Sequence, residues 1–194
     1  GEQPLPAYGC CCLGSINLTN FVVDPFKPKA RFDFDAFARV VHPAVRMLDN
    51  VLDVTVWPLP QQAHEAQQKR RIGLGVTGLD DALIFCRTRY GSAESLALIE
   101  RWLTILRDNA YSASAELAAE KGAFPLFNRD AYLAQPNIAA LPQYIREAIA
   151  RHGIRNGLLT SIAPTGTISL FAGNVSGGIE PVFAHSYRRK VLMP

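Results

Sequence analysis

The amino-acid sequence predicts an α/β fold, and two of its features carry that prediction. Short apolar segments with the length and composition of buried strands lie at 10–23, 72–76 and 158–163. Longer segments with apolar residues at helical spacing separate them. Strands that alternate with helices in this way are typical of α/β domains. The chain contains no internal repeat, low-complexity tract or linker, so we predict a single domain over residues 1–194.

The first part of the chain is predicted to pass from an extended segment into a strand and then a helix. Residues 1–9 are rich in Pro and Gly, which favour an extended conformation. Residues 10–23 are predicted as strand and turn, and the proline-containing segment 24–34 as a surface loop. A helix is expected over about 35–52, kinked or split at Pro43 because proline lacks the amide hydrogen that a helix needs.

The middle of the chain is predicted to hold two short helices, a strand and a long helix. The short elements are a polar helix at 61–70, a strand at 72–76 and a helix at 79–86. Ser92 is a favourable N-cap for a long helix over 93–121. Gly122 is the expected terminator of that helix.

The last part of the chain is predicted as one helix followed by strands and a turn. Pro142 stands at a first-turn position of a helix that Gly153 closes. A buried strand is predicted at 158–163, followed by a turn at 164–167. Residues 177–183 are expected to lead into a final strand.

The charge pattern excludes several classes of protein. Lys and Arg number 20 against 17 Asp and Glu, and the isoelectric point is near 8.8. The basic residues are scattered apart from 69–71 and 188–190, which is typical of solvated element ends, so we expect no nucleic-acid partner. No apolar run is long enough to span a bilayer and no signal peptide opens the chain. We therefore expect no membrane association.

The cysteines indicate a reducing, cytoplasmic location. They are Cys10, Cys11, Cys12 and Cys86, and three consecutive cysteines do not form an ordinary disulfide framework. Their chemistry allows core packing, redox chemistry or metal binding. No second Cys or His pair stands at ligand spacing, so we predict no metal site.

The segment Gly73-Leu74-Gly75-Val76-Thr77-Gly78 matches the dinucleotide-binding fingerprint. The strand before it is short, and no strand ending in an acidic residue follows it. The three glycines could instead let a strand and a helix pack closely. A small α/β nucleotide-binding module built on these glycines is therefore one alternative function.

A second candidate site is the turn Ala163-Pro164-Thr165-Gly166-Thr167-Ile168-Ser169. Amides and hydroxyls at a turn that follows a strand form an anion site, especially where a helix begins. The same hydroxyls could instead satisfy the backbone of the turn. The residues alone leave both interpretations open.

Three stretches together resemble the large, catalytic subunit of ribonucleotide reductases, and they look closest to the adenosylcobalamin-dependent class. The stretches are Gly1–Pro6 with Tyr8-Gly9, Cys11 and Leu13–Leu18; Arg70–Asp80; and Gly153–Asn156 through Thr160–Thr167 to Gly178–Pro181. The resemblance covers nearly the whole chain. A di-iron large subunit of the same family is the nearest alternative.

The resemblance implies a fold and a position within a longer protein. Family members form a ten-stranded α/β barrel from two five-stranded halves, and this chain would supply the second half as a C-terminal fragment. Gly1-Glu2 resembles the end of the family's Asn-Pro-Cys-Gly-Glu motif. The radical cysteine would then precede Gly1, so we expect this fragment to be inactive alone.

The resemblance also implies roles for particular residues. In the family a thiyl radical takes the ribose 3′ hydrogen, a glutamate removes the 3′-hydroxyl proton, the 2′-hydroxyl leaves as water, and a cysteine pair supplies two electrons. Glu2 matches the glutamate and Cys11 one of the redox cysteines. The substrate-binding residues would be Gly1, Glu2, Pro164, Thr165, Gly166, Thr167 and Ile168, with the Thr165 and Thr167 hydroxyls on the phosphates.

Cofactor and partners follow from the same resemblance. The cofactors would be adenosylcobalamin and a redox-active dithiol, although no residue here is assigned to cobalamin. The partners would be a ribonucleoside di- or triphosphate, a thioredoxin- or glutaredoxin-like reductant and the remainder of the catalytic subunit.

Overall fold

A computed structural model describes residues 4–188 and residue 190 of the chain. In chain order its elements are β1 (Cys12–Asn17), β2 (Val22–Val23), β3 (Arg31–Phe32), α1 (Phe34–Val54), α2 (Pro60–Lys69), β4 (Ile72–Thr77), α3 (Leu79–Phe85), α4 (Ala93–Lys121), α5 (Arg129–Leu133), α6 (Pro136–Ala139), α7 (Gln143–His152) and α8 (Ile168–Phe171). A 3-10 turn at Leu18–Phe21 joins β1 to β2. The chain mixes helices and strands, as the sequence predicts, but they do not alternate: three strands come first, and of the described elements only helices follow β4.

The strand β4 is the centre of the structure, and every one of its residues is buried. It pairs in parallel with β1, from Cys12 opposite Ile72 to Asn17 opposite Thr77. On its other side the segment 158–161 runs alongside: Ile72 N donates to Leu158 O at 3.0 Å and Leu74 N donates to Leu159 O at 2.8 Å. A buried parallel strand of this kind needs cover on both faces.

Helix α1 covers this sheet and packs against α4. Its buried residues recur at helical spacing and are Phe37, Val41, Val45, Leu48, Asp49 and Leu52. Aromatic side chains close one end of the core, with the Phe32 and Trp102 ring centroids 4.8 Å apart and those of Phe21 and Phe37 5.3 Å apart. Helix α7 packs against α4 and adds its buried Ile145 and Ile149 to the same core.

The predicted ends of the long helix are confirmed. The Ser92 side chain accepts a hydrogen bond from Ser95 N at 3.1 Å, which satisfies one of the open amides of the first turn. Gly122 follows the helix with φ of 85°, a conformation that glycine adopts without strain. The helix after Pro142 likewise ends at Gly153, where φ is 80°.

Several predictions about elements are wrong. Pro43 lies inside α1, which continues as one helix of 21 residues, so the predicted split does not occur. The predicted loop at 24–34 contains β3, which pairs with β2 and carries the buried Phe32 side chain. Residues 177–183 are predicted to lead into a final strand, but no strand follows them within 184–188 and 190, and Val182 N donates to the Asp80 carboxylate at 2.8 Å. Residues 158–163 contribute only the single bridge between Leu74 and Thr160.

The predicted combination of helices and strands is confirmed, but the predicted half of a ten-stranded barrel is not. The structure is a mixed helix and strand fold, but within residues 4–188 and 190 each sheet has two strands and neither closes on itself. No helix in that part of the chain is both long and apolar enough to cross a membrane.

Candidate active site

Cys11 lies just before β1 and borders a cavity of about 210 Å³. The cavity is lined by Leu5, Cys11, Leu13, Ile72, Leu158, Thr160 and Ser161. It therefore opens where β1, β4 and the segment 158–161 meet. Gly1 and Glu2 fall outside the described residues, so their predicted roles stay predictions.

Two glycines inside β4 allow the cavity walls to approach each other. A Cβ atom added at Gly73 would lie 2.5 Å from Leu13 Cδ2, 2.8 Å from Ser161 Cβ and 3.4 Å from Cys11 Sγ. A Cβ atom added at Gly75 would lie 2.1 Å from Ser161 O. Any side chain at either position would push the neighbouring segments away from β4. The absence of a side chain at Gly73 thus allows Cys11 to lie close to the central strand.

This arrangement contradicts the nucleotide-binding alternative at Gly73–Gly78. A dinucleotide fingerprint places its glycines in the turn after a strand, with their amides facing the phosphates. Here Gly73 and Gly75 lie within β4 and are buried. The Gly78 amide donates to Ser176 O at 2.7 Å. The motif therefore serves the close packing of strands.

Burial affects the thiols on either side of Cys11. Burial raises the pKa of the Cys10 thiol, an effect that Arg71 opposes and Glu65 adds to. Burial, reinforced by Cys10, also raises the pKa of the Cys12 thiol. Thiols with raised pKa values stay protonated at neutral pH, and the thiolate is the reactive form. Within the described residues, no three His, Cys, Asp or Glu side chains are grouped so that they could hold a metal ion.

The turn at 164–168 presents open backbone amides to solvent. Pro164, Gly166, Thr167 and Ile168 are exposed, and α8 begins at Ile168. Among the described residues, the amides of Gly166, Thr167 and Ile168 donate to no protein acceptor. Successive open amides at a turn form a concave anion-binding surface. The Thr167 hydroxyl lies on the same exposed turn.

The Thr165 hydroxyl forms hydrogen bonds within the protein. Its backbone has φ of 55° and its side chain is buried. The hydroxyl oxygen accepts from Gly178 N at 2.7 Å and lies 3.0 Å from the Thr77 hydroxyl oxygen. The phosphate contact predicted for this hydroxyl stays a prediction, and the hydrogen bonds that the structure shows for it are to the protein.

A loop behind the turn, at 176–182, is attached to the start of α3. Ser176 Oγ accepts from Asp80 N at 3.1 Å and Asp81 N at 3.3 Å, so it caps a helix that has no capping side chain of its own. Asp81 Oδ2 accepts from Ser176 N at 2.5 Å in return. This pair leaves no signal in the sequence, because its two partners are 95 residues apart.

A second unpredicted feature is a buried ionic network centred on Asp49, which is fully buried. Asp49 Oδ1 accepts from Arg70 Nη2 at 2.8 Å and Asn156 Nδ2 at 2.9 Å, and Oδ2 accepts from Arg155 Nε at 3.3 Å. Asn156 also bonds Ser114 of α4, since Ser114 Oγ donates to Asn156 Oδ1 at 2.9 Å. The network joins α1, α4, the end of α2 and the segment leading to 158–161.

Comparison with known proteins gives one family over almost the entire chain. Residues 1–193 match the family described as ribonucleotide reductase, barrel domain. The chain is 40% identical over 193 residues to the vitamin B12-dependent ribonucleoside-diphosphate reductase of Mycobacterium tuberculosis strain H37Rv, covering 99% of this chain and 24% of the relative.

Two further relatives come from distant organisms. The vitamin B12-dependent ribonucleoside-diphosphate reductase of Thermoplasma acidophilum is 40% identical over 192 residues, which is 99% of this chain and 22% of the relative. The ribonucleoside-diphosphate reductase large subunit of Caenorhabditis elegans is 32% identical over 192 residues, covering 94% of this chain and 24% of the relative. The chain thus spans about a quarter of the length of these relatives.

Proposed function

This chain belongs to the ribonucleotide reductase barrel-domain family, and we propose that it forms part of the catalytic site of an enzyme that reduces ribonucleotides to 2′-deoxyribonucleotides. The observation that carries the proposal is the family match over residues 1–193. The relatives are about four times longer than the matched region, so we propose that this segment acts within a longer catalytic polypeptide as the second half of its barrel.

Cys11 is proposed as one of the two thiols that reduce the substrate. Two thiols that become a disulfide release two electrons and two protons, and the ribose loses its 2′-hydroxyl as water. The position of Cys11 on the cavity wall supports this role. Cys10 and Cys12 do not line that cavity, so the partner thiol is proposed to come from another part of the polypeptide.

Glu2 is proposed as the base that removes the 3′-hydroxyl proton, and Gly1 as an adjoining substrate contact. A base must come within hydrogen-bond reach of the proton it takes. Leu5 lines the cavity beside Cys11, and Glu2 precedes it by three residues. Three extended residues span at most about 10 Å, so the chain connection allows the carboxylate to reach the same cavity.

The turn at 164–168 is proposed to hold the phosphates of the substrate. The open amides of Gly166, Thr167 and Ile168, with the Thr167 hydroxyl, offer the donors that phosphate oxygens require. Pro164 starts the turn and has no amide hydrogen of its own. The relatives are named diphosphate reductases, so a ribonucleoside diphosphate is the proposed substrate in preference to a triphosphate.

Adenosylcobalamin is the proposed cofactor of the whole enzyme, since two relatives at 40% identity are named vitamin B12-dependent. The cavity beside Cys11, at about 210 Å³, is below the roughly 300–1,000 Å³ of ordinary small-molecule sites. It does not fit a group as large as cobalamin. The contacts of the cofactor are proposed to lie elsewhere in the polypeptide.

A thioredoxin- or glutaredoxin-like dithiol is proposed to restore the Cys11 thiol after each turnover. Exchange with a disulfide requires an attacking thiolate that can reach one of its sulfurs. Cys11 is only half-buried, which supports access from outside. A cytoplasmic location is proposed on the same grounds, because that compartment keeps thiols reduced.

The test is reduction of a ribonucleotide by the full-length polypeptide. The purified enzyme, with adenosylcobalamin and a dithiol, would be incubated with cytidine diphosphate or cytidine triphosphate, and the products separated by chromatography. We expect 2′-deoxycytidine diphosphate from the first substrate. Failure to reduce either nucleotide would contradict the proposed function, and reduction of the triphosphate alone would contradict the substrate assignment.

A further inference from the structure

We propose that Thr77 is a positioning residue that holds the phosphate-binding turn in its binding shape through the Thr165 hydroxyl. This inference rests on the proposed function, in which the turn at 164–168 binds the substrate phosphates. Thr77 ends β4, and its side chain is 2% exposed. Its hydroxyl lies 3.0 Å from that of Thr165, 88 residues further along the chain.

The two hydroxyls are in contact with each other and with two backbone groups. Thr77 Oγ1 lies 3.0 Å from Ser176 O, which can only accept, and 3.0 Å from Thr165 Oγ1, where either hydroxyl can donate. Gly178 N donates to Thr165 Oγ1 at 2.7 Å. The Thr165 hydroxyl is therefore held by two groups of the protein.

The hydroxyl of Thr165 thus acts on the shape of the turn. Thr165 has a left-handed backbone with φ of 55°, which a β-branched residue adopts only when its surroundings impose it. Thr77 and Gly178 are the groups that hold its side chain. With that residue fixed, the open amides of Gly166 and Thr167 lie on an exposed part of the turn.

The loop behind the turn leaves little room for it to shift. A Cβ atom added at Gly177 would lie 2.7 Å from Pro164 O, and one added at Gly178 would lie 2.7 Å from Ala163 O. The loop is itself attached to α3 through Ser176. Thr77 therefore connects the central strand to the turn, and the loop at 176–182 supports the turn from behind. Loss of the Thr77 hydroxyl should change the positions of the turn's amides and so weaken their binding of phosphate.

The test compares two substitutions of Thr77 with one matched control in the full-length enzyme. Thr77→Val keeps the shape of the side chain but removes the hydroxyl, whereas Thr77→Ser keeps the hydroxyl. Thr88→Val is the control, because Thr88 is also buried but its hydroxyl faces only the Cys86 carbonyl at 3.5 Å. The measurements are the Kd of cytidine diphosphate by titration calorimetry, and kcat and KM.

We expect Thr77→Val to weaken binding by about tenfold, the size of a lost buried hydrogen bond, and to raise KM with little change in kcat. The contacts of the turn are the same in the ground state and the transition state, which is why kcat is spared. Thr77→Ser should restore most of the affinity. Thr88→Val should leave the Kd at the wild-type value, even where it lowers the Tm.

Three results would overturn the inference: a wild-type Kd in Thr77→Val, a Thr77→Ser variant as weak as Thr77→Val, or an equal loss in Thr88→Val. Wild-type enzyme that reduces no ribonucleotide would instead contradict the proposed function, and the inference with it. If Thr77→Val does not fold, Thr165→Gly takes its place, since glycine tolerates the backbone while removing the hydroxyl. An unchanged Kd in that variant would also overturn the inference.

Discussion

The three consecutive cysteines differ in what surrounds each side chain. Cys11 borders the cavity at the junction of β1 and β4. Burial raises the pKa of both neighbouring thiols, so they remain protonated at neutral pH. Cys12 also packs partly against the core. Packing therefore accounts for Cys12, and the redox role is proposed for Cys11, which lines the cavity.

We predict that Cys11→Ser abolishes multiple turnover in the full-length enzyme, because no disulfide can form with the partner thiol. Cys10→Ser and Cys12→Ser are the matched controls and should retain turnover while lowering stability. Steady-state assays with a dithiol reductant, together with thermal unfolding, would measure both effects. If Cys10→Ser stopped turnover and Cys11→Ser did not, the assignment would be wrong by one residue.

Glu2 and Thr167 are predicted to serve different steps. Glu2→Gln keeps the shape of the side chain but cannot take a proton, so kcat should fall by roughly 10²–10⁴-fold with little change in KM. Thr167→Val removes one donor to the phosphates and should weaken binding by roughly 1–3 kcal/mol with kcat nearly unchanged. Steady-state kinetics on both variants tests this division. A change in KM alone for Glu2→Gln would make Glu2 a binding residue only.

At the scale of elements, local signals in the sequence predicted helix ends better than strands. Ser92 and Gly122 fix the ends of α4 through their own backbone and side-chain preferences, and both ends were predicted correctly. The conformation near Val182 depends on a distant partner, because its amide donates to the Asp80 carboxylate, 102 residues away in the sequence. Hydrogen bonds between residues so far apart leave no periodic signal in the sequence.

The same limit applies to the candidate site. The residues of the 163–169 turn allow either an anion site or hydroxyls that satisfy the turn's own backbone, and the open amides at 166–168 are consistent with an anion site. The sequence could not show that the Thr165 hydroxyl bonds Thr77, because the two residues meet only when β4 and the turn pack together. Nor could it show that Asp49 joins four segments of the chain.

We predict that Asp49→Ala destabilises the fold by about 3–5 kcal/mol, since it leaves buried cationic and amide groups without their acceptor. Asp53→Ala is the matched control on the same helix: Asp53 also pairs with Arg70, at 2.8 Å, but its side chain is 43% exposed. Its loss should lower stability by no more than about 1 kcal/mol. Urea denaturation of both variants would measure the difference, and equal losses would contradict the view that burial of Asp49 makes the network important.

At the scale of the whole molecule, β4 connects the two parts of the proposed chemistry. Its first residues lie beside Cys11, where Gly73 makes room for the cavity wall. Its last residue, Thr77, holds the turn proposed to bind phosphate. A displacement of this one strand would therefore move the thiol proposed as reductant and the turn proposed to bind phosphate relative to each other. Arg70, just before β4, is joined to α1 through Asp49 and to α4 through Asn156, whose side chain also bonds Ser114.

The cofactor requirement concerns the whole enzyme, because the cavity beside Cys11 is too small for cobalamin. Relatives named vitamin B12-dependent are 40% identical over 99% of this chain, whereas large subunits named without that cofactor are 30–32% identical over 94%. We therefore predict that the full-length enzyme requires adenosylcobalamin and no second, iron-containing subunit.

Turnover would be measured with and without the cofactor, and with an iron chelator as the matched treatment. Activity should disappear without adenosylcobalamin and be unaffected by the chelator. Cobalamin-independent turnover that the chelator abolishes would contradict this and favour the di-iron class.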